Sequence, residues 1–182
     1  MPLHDIRILD LTRSLSGSLA TKYLANYGAE VVKVEPPKGD PTRRYAPIRN
    51  GESHYVRYLS AGKTSVLLDY AQPEGAALLR TLLRKADVVC ADVRPSEAKA
   101  LGLDCESLKA EKPDLILASV TPYGLTGPLA EAPASSLTVQ ARSVAMDMTG
   151  MPGGYPVQSG PSIPEHYAAG YLATAVMLAL ID

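Results

Sequence analysis

Apolar positions along this chain follow two rhythms that take turns. Ile6-Arg7-Ile8-Leu9-Asp10-Leu11 is a short apolar run with β-branched residues, the mark of a buried strand. Small residues at 14–17 make a turn. Residues 18–27 then fall into helical spacing, with Leu19, Tyr23, Leu24 and Tyr27 on one face and Gly28 as the stop. Glu30-Val31-Val32-Lys33-Val34-Glu35 is the next strand. Strand, helix and strand in so short a span predict a βαβ unit, with parallel strands and a right-handed crossover.

The alternation continues. Residues 36–44 (PPKGDPTRR) read as loop from their prolines and glycine, and residues 65–68 as a short strand. Pro73 suits the first position of a helix that runs to Lys85, with leucines at 78, 79, 82 and 83. Residues 87–91 and 114–119 are apolar enough for two more core strands, with helical turns at 96–101 and 105–111 between them. Residues 123–128 read as loop, 137–148 as helix and 150–160 as a glycine- and proline-rich loop. Glu165 opens a last, strongly apolar helix. Strands alternating with helices predict an α/β fold, Rossmann-like. It is an open, doubly wound, mostly parallel sheet with helices on both faces, one domain over residues 1–182. Ligands of such sheets sit outside the carboxyl ends of the strands. That puts weight on residues 12–18, 35–44, 92–97 and 121–128.

Composition narrows the choice of chemistry. With 46% hydrophobic and 20% charged residues and a net charge of -1, the 182-residue chain reads as soluble and globular. Nothing in that balance draws it to nucleic acid or an anionic membrane. Cys90 and Cys105 are too far apart for a CxxC motif, and two thiols suggest a reducing, cytoplasmic setting. The N-terminus shows no signal-peptide pattern. The apolar stretch 167–181 is shorter than the roughly 20 residues that a membrane span needs. His4, His54 and His166 are scattered with no metal-ligand spacing. Glu35 ends the second strand where a ribose-binding acid would lie, yet TRSLSGSLA lacks the GxGxxG of a dinucleotide turn. No GxSxG elbow or Walker loop is present. The reading is no permanent cofactor and no metal.

The residues themselves carry a resemblance. PLHDIRILDLTRSLSGSLATKYLANYGAEVVKVEPPKGDPTRR resembles the start of the class III CoA-transferases, a family that includes carnitine and formyl-CoA transferases and α-methylacyl-CoA racemases. The likeness continues through GKTSVLLDY, PEGAALLRTLLRKADVV, VRPSEAKALGLDCESLKAEKPDLILASVTPYGLTGP and the closing AAG helix. It implies the N-terminal part of the family's large domain. It also implies coenzyme A as substrate, with a small carboxylic acid as second substrate. The expected assembly is a homo- or hetero-oligomer with a related chain. The expected CoA contacts are Leu15, Ser16, Lys63, Arg94 and Leu101.

Family transferases attack the acyl-CoA thioester with an aspartate at the start of the last helix. Counted back from AAG, that position is His166, with Glu165 one residue earlier. Three readings stay open. Glu165 is the nucleophile; His166 is a general acid–base; or both are remnants, a helix-end charge and a polar residue. Ser135 and Ser136 stand where racemase-like members carry a histidine and an aspartate, and either serine suits a helix N-cap. Asp92 and Val93 stand where the family has asparagine and phenylalanine. The leading function is CoA transfer between an acyl-CoA and a carboxylic acid. The alternative is a non-catalytic, degenerate subunit that pairs with a second family chain.

Overall fold

The computed structural model describes residues 1–160 and 162–181. The βαβ unit is there: β1 (Arg7–Asp10), α1 (Leu15–Asn26) and β2 (Glu30–Glu35), with β1 and β2 parallel and Arg7 opposite Glu30. A short 3-10 turn (Pro41–Arg44) follows, then a small hairpin of β3 (Ile48–Arg49) and β4 (Glu52–Ser53) and the helix α2 (His54–Leu59). Sequence periodicity did not announce these three pieces, because elements of two to six residues repeat too few positions to show a period. Next come β5 (Lys63–Leu67), α3 (Pro73–Lys85), β6 (Val88–Ala91), α4 (Pro95–Leu101), α5 (Cys105–Glu111) and β7 (Ile116–Ser119). The chain closes with α6 (Ser136–Arg142) and α7 (Ile163–Ala179). The helix expected to reach residue 148 stops six residues early. Ser143 caps it, and Val144 follows at φ 64, a left-handed conformation that no α-helix contains.

The main sheet has the order β5-β2-β1-β6-β7, parallel throughout. Strand alternation splits the core in two. Ile8, Val31, Val88 and Cys90 face one layer with Leu19 and Leu24 of α1 and Leu172 and Val176 of α7. Leu9, Val34, Val89 and Ala91 face the other, with Leu79 and Leu83 of α3 and Leu108 of α5. Each fully buried Leu, Ile or Val among them contributes about 1.5–3 kcal/mol. Helix α7 buries Ala169, Leu172, Ala173 and Val176, spaced for one stripe, and leaves Tyr167, Tyr171 and Leu178 on its open side. Among the described residues, no helix is long and apolar enough to cross a membrane.

Charge is buried under the sheet's carboxyl edge. Asp10 and Asp40 share the interior with Lys33 and Lys63. Lys33 Nζ lies 2.7 Å from Asp40, and it also donates to the Thr12 carbonyl. Lys63 Nζ donates to Asp10 Oδ2 at 2.8 Å, the Ser18 carbonyl at 2.8 Å and Thr21 Oγ1 at 2.7 Å. Gly17 belongs to this arrangement. A Cβ there would lie 2.4 Å from the Thr12 side chain, and Thr12 Oγ1 donates to Asp10 Oδ1 at 2.6 Å.

Glu35 turns out to be a structural acid. Its carboxylate accepts from Arg43 Nε (2.7 Å) and Nη2 (2.6 Å), Ser65 Oγ (2.6 Å) and the Asp40 N–H (2.9 Å). The Arg43 hydrogen bonds lead in holding its pKa down from 4.5 to about 2, against the opposing effect of burial. A depressed carboxylate stabilises above its unfolded pKa and loses that contribution as pH falls through the folded one. Replacing Glu35 by Gln is expected to cost about 2 kcal/mol near neutral pH, a value discounted because Arg43 is half-exposed. Urea midpoints of wild type and Glu35→Gln should converge between about pH 4.5 and about pH 2.

Candidate functional site

Strand β1 hands the chain to β2 on one side, and β6 hands it to β7 on the other. Between β1 and β6 the connections therefore part, which opens a crevice outside their carboxyl ends. Asp92, just past β6, closes its floor. Asp92 Oδ2 accepts from the N–H groups of Arg13 (2.7 Å) and Ser14 (2.5 Å), just past β1. Ser14 in turn caps α1, its Oγ accepting from the Gly17 N–H at 3.3 Å. Ser14, Ser16, Asp92, Thr121, Ser136 and Glu165, among others, line a cavity of about 290 Å³. Another cavity, also about 290 Å³, is lined by Arg13, Leu68, Tyr70, Glu97 and Leu101, among others.

Glu165 stands in the first turn of α7, where the helix dipole favours a negative charge. Pro164 before it fixes φ for the turn. Ser136 Oγ donates to Glu165 Oε2 at 3.2 Å, and Gln140 Nε2 donates to Ser136 Oγ at 3.1 Å. Gln140 is buried, and its Oε1 accepts from the N–H (3.0 Å) and Oγ (3.1 Å) of Ser159. The carboxylate is thus held through α6 to the loop that precedes its own helix. Ser135 is the N-cap of α6 and exchanges hydrogen bonds with Thr138, so the capping reading of this serine pair holds.

His166 is not in the cavity. Consecutive helix residues point about 100° apart, so with Glu165 turned inward His166 faces out. It is exposed beside Tyr167 and Tyr171, and its Nδ1 donates to the Ser162 carbonyl at 2.7 Å.

The expected CoA contacts separate. Ser16 lines the Glu165 cavity, and Leu101 lines its neighbour. Leu15 is partly buried and packs onto the core. Lys63 lies in the buried ion cluster: its side chain is 1% exposed, and it donates to Asp10, the Ser18 carbonyl and Thr21. Arg94 is exposed and gives an Nη1 hydrogen bond to the Glu131 carbonyl at 3.1 Å. The residues that sequence reasoning left out are Arg13, Tyr70 and Thr121. Arg13 and Thr121 lie in segments just after strands, where the sheet rule had pointed. Arg13 is ion-paired with Glu97 at 2.8 Å and borders the second cavity.

With the site in view, likeness to known proteins decides the family. The model described as CoA-transferase family III matches residues 3–182. The chain belongs to this family. It is 39% identical to the succinate–glutarate CoA-transferase of Agrobacterium fabrum, over 99% of its own length and 47% of the relative's. It is 37% identical to the subunit BbsE of succinyl-CoA:(R)-benzylsuccinate CoA-transferase from Thauera aromatica, over 97% and 44%. Among solved structures, a CaiB/BaiF family protein from Brucella suis superposes with a TM-score of 0.91 at 35% identity, covering 100% of this chain and 49% of that one. This family III chain therefore spans about half the length of the relatives it matches. In it, Glu165 and Asp92 both line the cavity, and no group of residues suited to a metal ion occurs among the described residues.

Proposed function

We propose that the chain binds CoA and acyl-CoA across the crevice and takes part in CoA transfer between an acyl-CoA and a carboxylic acid, with Glu165 as the reacting carboxylate. One observation carries this: Glu165, in the first turn of α7 with a hydrogen bond from Ser136, lines a cavity of about 290 Å³ together with Ser14, Ser16 and Asp92 from the ends of β1 and β6. The thioester end of the ligand would lie beside Glu165, with Leu101 near its nucleotide end. Family membership supports the ligand class.

The chemistry follows from a weak nucleophile held in place. Glu165 attacks the thioester carbonyl carbon, the C–S bond breaks, and CoA leaves as thiolate with a mixed anhydride behind it. The thiolate then attacks the Glu165 carbonyl of the anhydride and releases the first carboxylate, leaving a glutamyl–CoA thioester. The second acid repeats both steps in reverse order. Ser136 orients the attacking oxygen through its hydrogen bond. His166, outside the cavity, has no part in these steps.

A second reading has its own support. The cations Lys63 and Arg13 are both engaged within the protein, which leaves exposed Arg94 among the expected contacts to meet the phosphates of CoA. A non-catalytic chain that pairs with a second family chain fits that, and one relative is itself a named subunit. Titrating the purified chain with free CoA in a calorimeter separates the two readings. Binding in the micromolar range with defined stoichiometry is expected for the first. Absence of heat at millimolar CoA sinks it and leaves the second.

A further inference from the structure

Hydrogen bonds run head to tail from the loop before α7 to Glu165, and a backbone group sets their direction. The Ser159 N–H can only donate. It reaches one end of the Gln140 amide at 3.0 Å, and the Ser159 hydroxyl meets the same atom at 3.1 Å. That end is therefore the carbonyl oxygen, Oε1. The other end is Nε2, which only donates, and it gives a hydrogen bond to Ser136 Oγ at 3.1 Å. With that bond taken up by a lone pair of Ser136 Oγ, the single hydroxyl proton turns to Glu165 Oε2, 3.2 Å away. Ser136 and Gln140 stand one turn apart on α6, so one helix face carries both. Gln140 is 1% exposed, where an unmatched amide is costly, so its orientation is locked.

We propose that Gln140 is a positioning residue for the reacting carboxylate and acts through Ser136. Its amide fixes which way the Ser136 hydroxyl points, and the hydroxyl fixes Glu165. This rests on the reading that Glu165 attacks an acyl-CoA thioester. Such an attack needs the carboxylate held in one geometry against the thioester carbon, and a long, flexible side chain seldom holds it unaided. A serine alone is a poor guide, because its hydroxyl rotates to suit any neighbour. The Gln140 N–H removes that freedom. The other end of the same amide ties α6 to the loop at Ser159, so the relay joins α6, this loop and the first turn of α7. Its polarity matters as much as its presence. A group at position 140 that accepted from Ser136 would draw the hydroxyl proton away from Glu165.

Two readouts on the whole chain test this. One is exchange of isotopic label between acetyl-CoA and acetate. The other is the carbon resonance of the Glu165 carboxyl in protein made with labelled glutamate, assigned by its loss in Glu165→Gln. Gln140→Met keeps the bulk and loses the donor. Gln140→Glu, once ionised, accepts where the amide donates. Gln140→Met should lower kcat about fivefold and Gln140→Glu at least about tenfold, with KM for acetyl-CoA within about twofold, the effect of one charge-assisted hydrogen bond set loose. Ser136→Ala should cost about tenfold, and Ser136→Ala/Gln140→Met should be no slower than Ser136→Ala, because residues that act as one unit are not additive. The Glu165 resonance should move in all three single variants. Far-ultraviolet circular dichroism checks that each is folded, and either Gln140 variant suffices for the comparison. Losses that multiply in the double variant overturn the relay, since Gln140 then acts on something other than Ser136. A kcat within about twofold of wild type in the folded Gln140 variants overturns it too, as does a Glu165 resonance that they leave in place. Absence of exchange in wild type, with the resonance moving as expected, overturns the transfer reading and leaves the relay standing.

Discussion

Asp10→Ala is expected to destabilise the chain by about 3–5 kcal/mol, the cost of stranding buried charge. Asp10 is fully buried and meets Lys63 at 2.8 Å and Lys33 at 3.8 Å. Burial alone would push its carboxyl up. The Lys33 and Lys63 ammoniums, with hydrogen bonds from Lys63 and Thr12, outweigh burial and hold it below the ordinary carboxylate range. The lysines divide differently. Burial prevails at Lys63 and lowers it, whereas Asp10 and Asp40 prevail at Lys33 and raise it. Without Asp10, Lys63 keeps two neutral acceptors and no counter-ion. Domains of this kind have about 5–15 kcal/mol in all, so the loss is a large share. Urea unfolding followed by far-ultraviolet circular dichroism measures it. A shift below about 1 kcal/mol would show that Lys63 sheds its proton at little cost and that the cluster is not held by charge. Lys63→Met is the companion measurement. It removes cation and hydrogen bonds together, yet leaves Asp10 with Lys33, and should cost less.

The second large effect concerns turnover. On the proposed transfer reaction, Glu165→Gln should lower the rate by at least about 10³-fold, since an amide cannot form the anhydride. CoA affinity should change little, because Gln retains the bond from Ser136 and the shape of the cavity. His166→Ala, on the outer face, should leave the rate within about twofold, the range typical of surface changes away from a site. Exchange of isotopic label between an acyl-CoA and its free acid reads both. Equal rates for Glu165→Gln and wild type would remove Glu165 from the reaction.

Much of the fold was legible because long elements repeat their pattern. Strand Glu30–Glu35 and helices Pro73–Lys85 and Cys105–Glu111 lie where spacing put them. The hairpin at 48–53 and helix α2 were not legible, being too short for any period, and α6 was overextended through Val144. The crevice itself followed from strand alternation and the rule for open sheets, and it fell at residues just past β1, β6 and β7. The side chains were harder. Lys63 looks in sequence like any loop lysine, and only the register of β5 against β2, with Lys63 opposite Val31, carries it over Asp10. Glu165 and His166 are neighbours in sequence, and the rotation of α7 at its first turn decides which one faces in. In sequence, Asp92 shows only as a departure from the family's asparagine. Its meaning changed once Oδ2 was seen clamped to two backbone N–H groups and Oδ1 was seen without a mate.

The clamp from Asp92 to Arg13 and Ser14 joins residues 79 and 78 positions apart. That separation bears on the order of events as the protein folds. The unit β1–α1–β2 closes locally, over a short stretch of chain, and is the natural early structure. The crevice has to wait until β6 docks beside β1, with the entropy of closing a long loop lost before any contact rewards it. During synthesis from the N-terminus, the first cavity wall therefore exists while its floor is still being made, and Glu165, farther along still, arrives last.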